Sequence, residues 1–125
     1  MKKLISVVLI LALCMAALVG CGSEGITVDP NKSNYVVGIC QLVQHVALDA
    51  ATQGFQDALV AELGEGNVNF DLQNAAGDTN TCATIVNSFV SGGVDLIMAN
   101  ATPALQAAAA ATAEIPILGT SVTEY

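Results

Sequence analysis

The stretch VDLIMANATPA, residues 94–104, contains a complete step from strand to helix. Residues 94–99 form a short, nearly continuous apolar run, which is typical of a strand buried on both faces of a parallel sheet. Thr102 and Pro103 follow. A threonine oxygen can accept a hydrogen bond from a free helix amide, and proline has no amide to leave unpaired. The pair therefore predicts a helix with Thr102 as its N-cap, continued by the alanine-rich residues 104–113.

The same step is repeated upstream of this stretch. Residues 35–40 form another short apolar run and predict a buried first strand. Residues 47–63 carry apolar side chains at helical spacing, and Gly64 follows where a C-terminal glycine is expected. Residues 67–72 alternate between polar and apolar side chains, which predicts a half-buried second strand. The inner face of the first helix is predicted to comprise Leu48, Ala51, Phe55 and Leu59.

A further helix and strand complete the pattern. Asp78 or Thr79 is predicted to cap the helix that follows the second strand. Residues 115–119 predict a fourth strand, with proline near its start, where a missing amide matters least. Four strand–helix steps with short loops predict an α/β fold, a doubly wound and mostly parallel sheet with helices on both faces. The inner face of the second helix is predicted to comprise Cys82, Ile85, Val86 and Phe89.

The first residues have the pattern of an export signal. Residues 1–20 combine two lysines with a short apolar run, and small residues precede Cys21. The segment resembles a lipoprotein signal peptide, in which Cys21 is lipidated and becomes the first residue of an anchored protein. The alternative is an ordinary membrane anchor, but the apolar run is shorter than the roughly 20 residues that span a bilayer. Residues 21–33 predict a polar tether, and residues 34–125 a partial α/β lobe.

Composition narrows the classes of partner. The full chain has a formal net charge of −8, and Lys32 is the one basic residue after the predicted leader. A chain without a basic patch cannot neutralise phosphates, so nucleic acid is excluded as a partner. The hydrophobic content of 54% also argues against disorder.

Two cysteines remain after the predicted leader and the predicted lipidation site. Cys40 and Cys82 could pair in an oxidising compartment. We favour two buried thiols that act as small apolar side chains, because neither cysteine flanks a loop that needs a cross-link. Two thiols also fall short of the four ligands that structural zinc requires, so no metal site is predicted.

Ligands of a parallel α/β sheet bind outside the carboxyl ends of its strands. This rule selects the loops at residues 41–46, 99–103 and 119–123. Amide and hydroxyl groups in these loops can donate to and accept from a small polar ligand, and a helix N-terminus favours an anionic group. For His45, capping of the following helix is an equal alternative. The candidate ligand-binding residues are Gln41, Gln44, His45, Asn100, Thr102, Thr120 and Ser121.

No catalytic constellation or cofactor motif is recognisable. The first strand is followed by Gln41 and Leu42 rather than by a glycine-rich phosphate loop. The only histidine has no acidic partner at a suggestive spacing, and Ser121 lacks the strand–turn elbow of a hydrolase nucleophile. We therefore predict that the protein is not an enzyme and has no cofactor.

Seven segments together carry a family resemblance. They are similar to substrate-binding lipoproteins of ABC importers of the tryptophan/tyrosine type, and the resemblance extends from about Tyr35 to Tyr125. It implies a type I periplasmic-binding fold, in which two α/β lobes close on an aromatic or other hydrophobic amino acid. The segments are residues 37–39, 45–51, 54–55, 73–78, 94–97, 101–104 and 114–118.

The resemblance also implies residue roles and partners. Gln41 would face the cleft, Thr102 would bind the ligand carboxylate, and Ser121 would contribute from the fourth loop. The implied partners are ABC permease subunits, with the protein anchored by lipid at the outer face of the cell membrane. This chain departs from the family pattern at Val46, where proline often follows the histidine, and its two cysteines are unusual.

The implied family is about three times as long, so we expect this chain to be an N-terminal fragment that contains the first lobe only. Such a fragment should expose a sheet edge and apolar surface, and should aggregate or bind ligand weakly. Two other classes of function remain as hypotheses. One is a ligand-sensing ectodomain of a signalling system, and the other is an enzyme on a flavodoxin-like sheet, for which no acidic cluster is present.

Overall fold

The computed structural model describes residue 29 and residues 31–123. The predicted leader and Cys21 lie outside this range, as does all of the predicted tether except residues 29 and 31–33. Strands and helices alternate through the described residues. They are β1 (Tyr35–Gln41), α1 (Val46–Leu63), β2 (Val68–Asn74), α2 (Thr79–Gly92), β3 (Leu96–Asn100), α3 (Thr102–Ala111) and β4 (Ile117–Thr120).

The four strands form one parallel sheet in the order β2-β1-β3-β4. Val37 of β1 pairs with Phe70 of β2 and with Leu96 of β3, which fixes the register at the centre of the sheet. Parallel strands need a crossover between them, and each crossover here contains one helix. The predicted α/β class and the predicted parallel sheet are confirmed.

Each face of the sheet is covered by different helices. Helix α1 lies on one face, where Val37, Ile39 and Met98 are buried together with Val68 of β2. We call this the α1 face. Helices α2 and α3 lie on the other, which we call the α2–α3 face. The predicted inner side of α2 is confirmed, because all four of its residues are buried against Cys40, Ile97 and Ala99, namely Cys82, Ile85, Val86 and Phe89.

Gly38 allows α2 to approach β1 closely. A Cβ atom at this position would lie 2.6 Å from Cγ of the Phe89 ring, which is closer than any real contact of that kind. The ring therefore rests directly on the backbone of the central strand. Phe89 itself is 1% exposed, so it closes the middle of the α2–α3 face.

The structure corrects the predicted start of the third helix. Ala101, not Thr102, is the N-cap residue of α3, and its side chain makes no capping hydrogen bond. Backbone φ is 96° at Ala101, so the chain turns there and Thr102 is already helical. The Thr102 hydroxyl oxygen accepts instead from the backbone N–H of Thr123, at 3.2 Å. Helix α3 also ends at Ala111 rather than at residue 113.

Two further details differ from the sequence predictions. Strand β3 begins at Leu96, because Asp95 lies before it and turns its carboxylate to the backbone N–H of Val36 and to the Lys32 ammonium. On α1 the most buried residue is Thr52 rather than an apolar one, while Phe55 and Leu59 pack against the sheet as predicted. The periodicity locates the inner side of the helix, but it does not reveal that a polar residue occupies its centre.

Both cysteines of the lobe are fully buried free thiols, as the buried-thiol interpretation predicts. None of the helices within residue 29 and residues 31–123 has the length and apolar character that a bilayer span requires.

Candidate ligand-binding site

The three loops that the sequence selects lie side by side along one edge of the sheet. The backbone N–H of Leu42 donates to the carbonyl of Asn100 at 3.2 Å, and the N–H of Ala101 donates to the carbonyl of Thr120 at 2.9 Å. These bonds continue the order β1-β3-β4 beyond the strand ends. We call this edge the carboxyl rim, and it comprises residues 41–45, 100–102 and 120–123. Its three loops therefore adjoin one another.

The side chain of Gln41 holds the first loop in place through hydrogen bonds. Its side chain is 4% exposed, and all its polar groups have partners within the chain. The Nε2 group donates to the carbonyl of Val43 at 2.9 Å and to Oδ1 of Asp49 at 2.6 Å, and Oε1 accepts from the Thr52 hydroxyl at 2.7 Å. This side chain therefore fixes the turn after β1 and the position of α1 beside it.

Asn100 extends this network from β1 to β3. Its Nδ2 donates to the carbonyl of Leu48 at 2.8 Å and to the Thr52 hydroxyl oxygen at 2.9 Å. The Leu48 carbonyl can only accept, so it fixes the orientation of the amide. Asn100 is fully buried, and its Oδ1 is left without a hydrogen-bond partner among the described residues. Buried polar groups are usually paired, so this unpaired oxygen is a costly feature, of the kind that accompanies functional sites.

Two of the predicted residues are exposed on the first loop. His45 caps α1, because its Nδ1 accepts from the backbone N–H of Ala47 at 3.2 Å. The capping alternative stated for this residue is therefore confirmed, and its other ring nitrogen faces an exposed surface. Gln44 is exposed beside it and makes no side-chain hydrogen bond among the described residues, so its amide is available to a ligand.

The other predicted residues lie on the third and fourth loops. Thr102 and Thr120 are half-buried, and Ser121 is exposed with a φ of 55°. Ala101 has φ 96° and ψ 158°, a conformation that glycine adopts far more readily than alanine. Strained backbone at two adjoining loops, both at the carboxyl rim, is typical of sites whose geometry is held by the surrounding structure.

A cleft of about 400 Å³ adjoins the rim on the α1 face. It combines amide groups with the Asp49 carboxylate and with the half-exposed side chain of Leu72. Such a surface can hydrogen-bond polar groups, attract an ammonium and contact an apolar side chain. No three His, Cys, Asp or Glu side chains within the described part of the chain lie together as a metal ion would require. The residues around the cleft are Gln41, Gln44, Asp49, Gln53, Leu72 and Asn74.

The structure thus brings all seven candidates to one rim and separates them by role. Gln41 and Asn100 are buried and engaged with α1, whereas the other five present groups at or near the surface. Sequence reasoning missed Asp49, Thr52 and Ala101. Thr52 was recoverable, since it lies four residues after Leu48 on the predicted inner side of α1. Nothing in the sequence indicates the strained conformation of Ala101.

Comparison with known families decides the class of protein. Residues 36–125 match the family described as ABC transporter substrate binding protein. The chain belongs to this family. The substrate-binding family predicted from the seven segments is therefore confirmed, and both the family description and the curated relative below name binding proteins.

A curated relative and two solved structures support the same assignment. Over 98% of its length the chain is 39% identical to the Tyrosine-binding protein of Clostridioides difficile (strain R20291). It is 46% identical, with a TM-score of 0.69 over 72% of the chain, to the ligand-free, open structure of a substrate binding protein with adhesive properties from Clostridium difficile. It is 36% identical, with a TM-score of 0.69 over 74% of the chain, to the ABC domain in complex with L-Trp from Streptococcus pneumonia.

The chain is much shorter than these proteins. It spans 38% of the curated relative and 31% and 32% of the two solved chains. The described sheet of this substrate-binding family member therefore corresponds to about one third of each solved structure. Activities of the whole relatives extend to this chain only as proposals.

Proposed function

We propose that this chain is the first lobe of an extracytoplasmic solute-binding component of an ABC importer, and that its carboxyl rim binds one side of an aromatic amino acid. The single observation that carries the proposal is the rim itself. Three loops adjoin there, at the edge where ligands of parallel α/β sheets bind. The first and last of these loops present exposed polar side chains, those of Gln44, His45 and Ser121.

The chemistry of the rim suits an amino acid. The N-terminus of α3 has no side-chain cap, so its partial positive charge favours a ligand carboxylate near Thr102. The Asp49 carboxylate and the amide of Gln44, on the adjoining cleft, suit the ligand ammonium. The relatives supply the ligand class, since one is called a tyrosine-binding protein and another was solved with L-Trp.

The proposal includes the setting of the protein. Export by residues 1–20 and lipidation of Cys21 would hold the lobe at the outer face of the cell membrane, with residues 21–33 as its tether. The relatives are long enough to contain a second lobe. That lobe would close over the ligand, and the closed form would dock on the permease subunits. In the alternative, a ligand-sensing ectodomain, the same ligand would bind, but the partner would be a signalling protein rather than the permease subunits.

Titration of the 125-residue chain with L-tyrosine and L-tryptophan, followed by backbone amide NMR, tests the ligand assignment. We expect weak binding, because one lobe supplies half of the contacts, with shifts concentrated at residues 41–45, 100–102 and 120–123. L-Aspartate and L-lysine serve as comparison ligands. Shifts scattered over both faces of the sheet, or equal responses to all four amino acids, would refute the assignment.

A pair of variants separates a rim effect from a general one. Gln44→Ala removes an exposed rim amide and should weaken L-tyrosine binding by about 10-fold, the loss of one hydrogen bond to a charged group. Gln106→Ala removes an exposed amide from α3 outside the rim and should leave the affinity unchanged. If both variants bind like the parent chain, Gln44 does not contact the ligand.

A further inference from the structure

Cys40 and Cys82 approach one another across the α2–α3 face. Cys40 is the penultimate residue of β1 and Cys82 lies in the first turn of α2, so 42 positions separate them along the chain. Both are 0% exposed and belong to the same buried cluster. The two side chains are therefore packed into one apolar interior between β1 and α2. The fold therefore brings together the only two cysteines among the described residues.

The surroundings of the pair are those of a structural bond rather than of a redox catalyst. Reactive cysteines have a lowered pKa and an exposed, electropositive environment. Here burial, and then the charge of the neighbouring Cys82, raise the pKa of the Cys40 thiol to about 12. Burial also raises the pKa of Cys82, and the nearby Asp78 carboxylate adds to that effect. Apolar residues complete the buried cluster around both sulfur atoms, among them Ala75 and Ala99.

Both thiols are free in this structure. We propose that in the oxidising surroundings of the exported protein they form a structural disulfide bond that ties β1 to α2. The proposal rests on the export and extracytoplasmic setting given above, since disulfides persist in oxidising compartments. The bond requires the two sulfur atoms to lie about 2.0 Å apart.

The bond forms by thiol–disulfide exchange with an oxidant that itself carries a disulfide. One cysteine thiolate attacks that disulfide and forms a mixed disulfide, releasing the first oxidant sulfur as a thiolate. The second cysteine thiolate then attacks the mixed disulfide, which closes the Cys40–Cys82 bond and releases the second oxidant sulfur. The two cysteines lose two protons and two electrons, and the oxidant becomes a dithiol. Because folded thiols of raised pKa react slowly, the exchange occurs before α2 has packed on the sheet.

The location of the bond gives it a consequence for the site. Cys40 immediately precedes Gln41, whose side chain fixes the first loop of the carboxyl rim. Cys82 follows the Asp78 cap of α2 by one turn, and the carbonyl of Asp78 accepts from its backbone N–H at 3.1 Å. A bond between them would hold the carboxyl end of β1 and the N-terminus of α2 at a fixed spacing. It closes a long loop, so it should raise the melting midpoint of the chain by on the order of 10 °C.

Peptide mapping of the exported full chain tests the bond directly. Free thiols are alkylated in denaturant without reduction, and the chain is then cleaved after acidic residues. Cleavage after Asp49 and at Asp78 and Asp95 places Cys40 and Cys82 in separate peptides, and cleavage at Glu24 separates both from Cys21. We expect a cross-linked peptide pair that contains Cys40 and Cys82. Alkylated Cys40 and Cys82, in chain recovered from outside the cytoplasm, would overturn the proposal.

A redox titration separates a bond that the fold favours from accidental oxidation. The chain is equilibrated in glutathione buffers of graded ratio, with and without concentrated urea, and the cross-linked peptide pair is quantified. In the folded lobe the bond should withstand at least about 10-fold more reduced glutathione than in urea, because the fold holds the thiols together. If the bond is reduced at the same glutathione ratio with and without urea, the proposal is overturned, because only the folded chain holds the two thiols close together.

The double variant Cys40→Ala/Cys82→Ala keeps this test independent of ligand binding. Its melting midpoint should fall to that of the reduced parent chain, while its amide shifts with L-tyrosine should still map to the carboxyl rim. A cross-link without any L-tyrosine response would refute the proposed function and leave the bond standing. A rim response without the cross-link would refute the proposed bond and leave the proposed function standing.

Discussion

The two faces of the sheet are covered to different extents. On the α2–α3 face two helices lie over the sheet, and every side chain at its centre is apolar and buried. On the α1 face one helix covers β1 and parts of its neighbours, and Leu72 and Leu118 at the outer strands are about half exposed. Towards the carboxyl rim the α1 face becomes polar, at Gln41, Thr52 and Asn100. The closed face stabilises the fold, and the open one carries the candidate site.

The difference follows from the geometry of a parallel sheet. A helix is about 10 Å across and adjacent strands are about 4.8 Å apart, so one helix covers roughly two strands. Four strands therefore need two helices on each face to bury their side chains. Within the part of the chain that the structure describes, the α1 face has one helix, and the flank that this helix leaves uncovered is available to a ligand or to further parts of a longer chain.

The largest expected effect comes from the centre of the closed face. Phe89→Ala removes a ring that is 1% exposed and rests on Gly38, and should lower the free energy of unfolding by about 3–5 kcal/mol. Leu72→Ala, at a half-exposed position on the α1 face, should cost less than about 1 kcal/mol. Urea unfolding of both variants measures the contrast. Equal losses would show that the two faces contribute alike.

A pair of glycines tests how tightly the closed face is packed. Gly38→Ala places a Cβ atom 2.6 Å from the Phe89 ring, which has no room to move, and should cost about 1–3 kcal/mol. Gly119→Ala on the edge strand meets only the flexible methyl groups of Leu105, at 3.0 and 3.1 Å, and should cost clearly less. Thermal unfolding distinguishes the two. A larger loss at Gly119 would contradict the rigid contact at the centre.

The polar end of the α1 face should respond to loss of one hydroxyl. Thr52→Val leaves Oε1 of Gln41 without its donor and removes a partner of Asn100, which should cost about 1–3 kcal/mol. Thr52→Ser keeps the hydroxyl and should cost less. Because Gln41 also fixes the first loop, the valine variant should weaken L-tyrosine binding as well. A destabilised variant with unchanged affinity would show that the network does not position the rim.

The smallest expected effect is on acid stability and arises at the N-terminus of α2. Hydrogen bonds from the Thr81 hydroxyl and from the backbone N–H of Asn80 lower the pKa of the Asp78 carboxyl below 3.8. The unfolded chain therefore binds the proton more readily, so this stabilisation is complete above pH 3.8 and is lost as the pH falls through the lowered folded-state pKa. Asp78→Asn retains a capping side chain but should lose this part of the pH dependence.

Melting midpoints of the parent chain and the Asp78→Asn variant, measured between pH 6 and pH 2, test this sign. The difference between the two should narrow as the pH falls, because the parent loses a contribution that the variant lacks. A difference that stays constant would show that Asp78 does not titrate differently in the folded and unfolded chains.

Sequence alone determined the order of elements, the parallel sheet and the closed face. These features depend on local chemistry, namely apolar runs for strands, helical spacing for α2 and a capping residue at position 78 or 79, and each acts within a few residues. The structure selects Asp78 as that cap. It also located all seven candidate residues on one rim, because strand order and direction carry loops to a common edge.

Tertiary structure alone decided which of those residues are engaged and which are free. Gln41 and Asn100 are buried because α1 packs over them and supplies the Thr52 hydroxyl and the Leu48 carbonyl, contacts that span 11 and 52 positions in the chain. The turn at Ala101 and the approach of Cys40 to Cys82 are likewise set by packing between distant segments. Such contacts have no signature in a local pattern, since they depend on how whole elements are placed against one another.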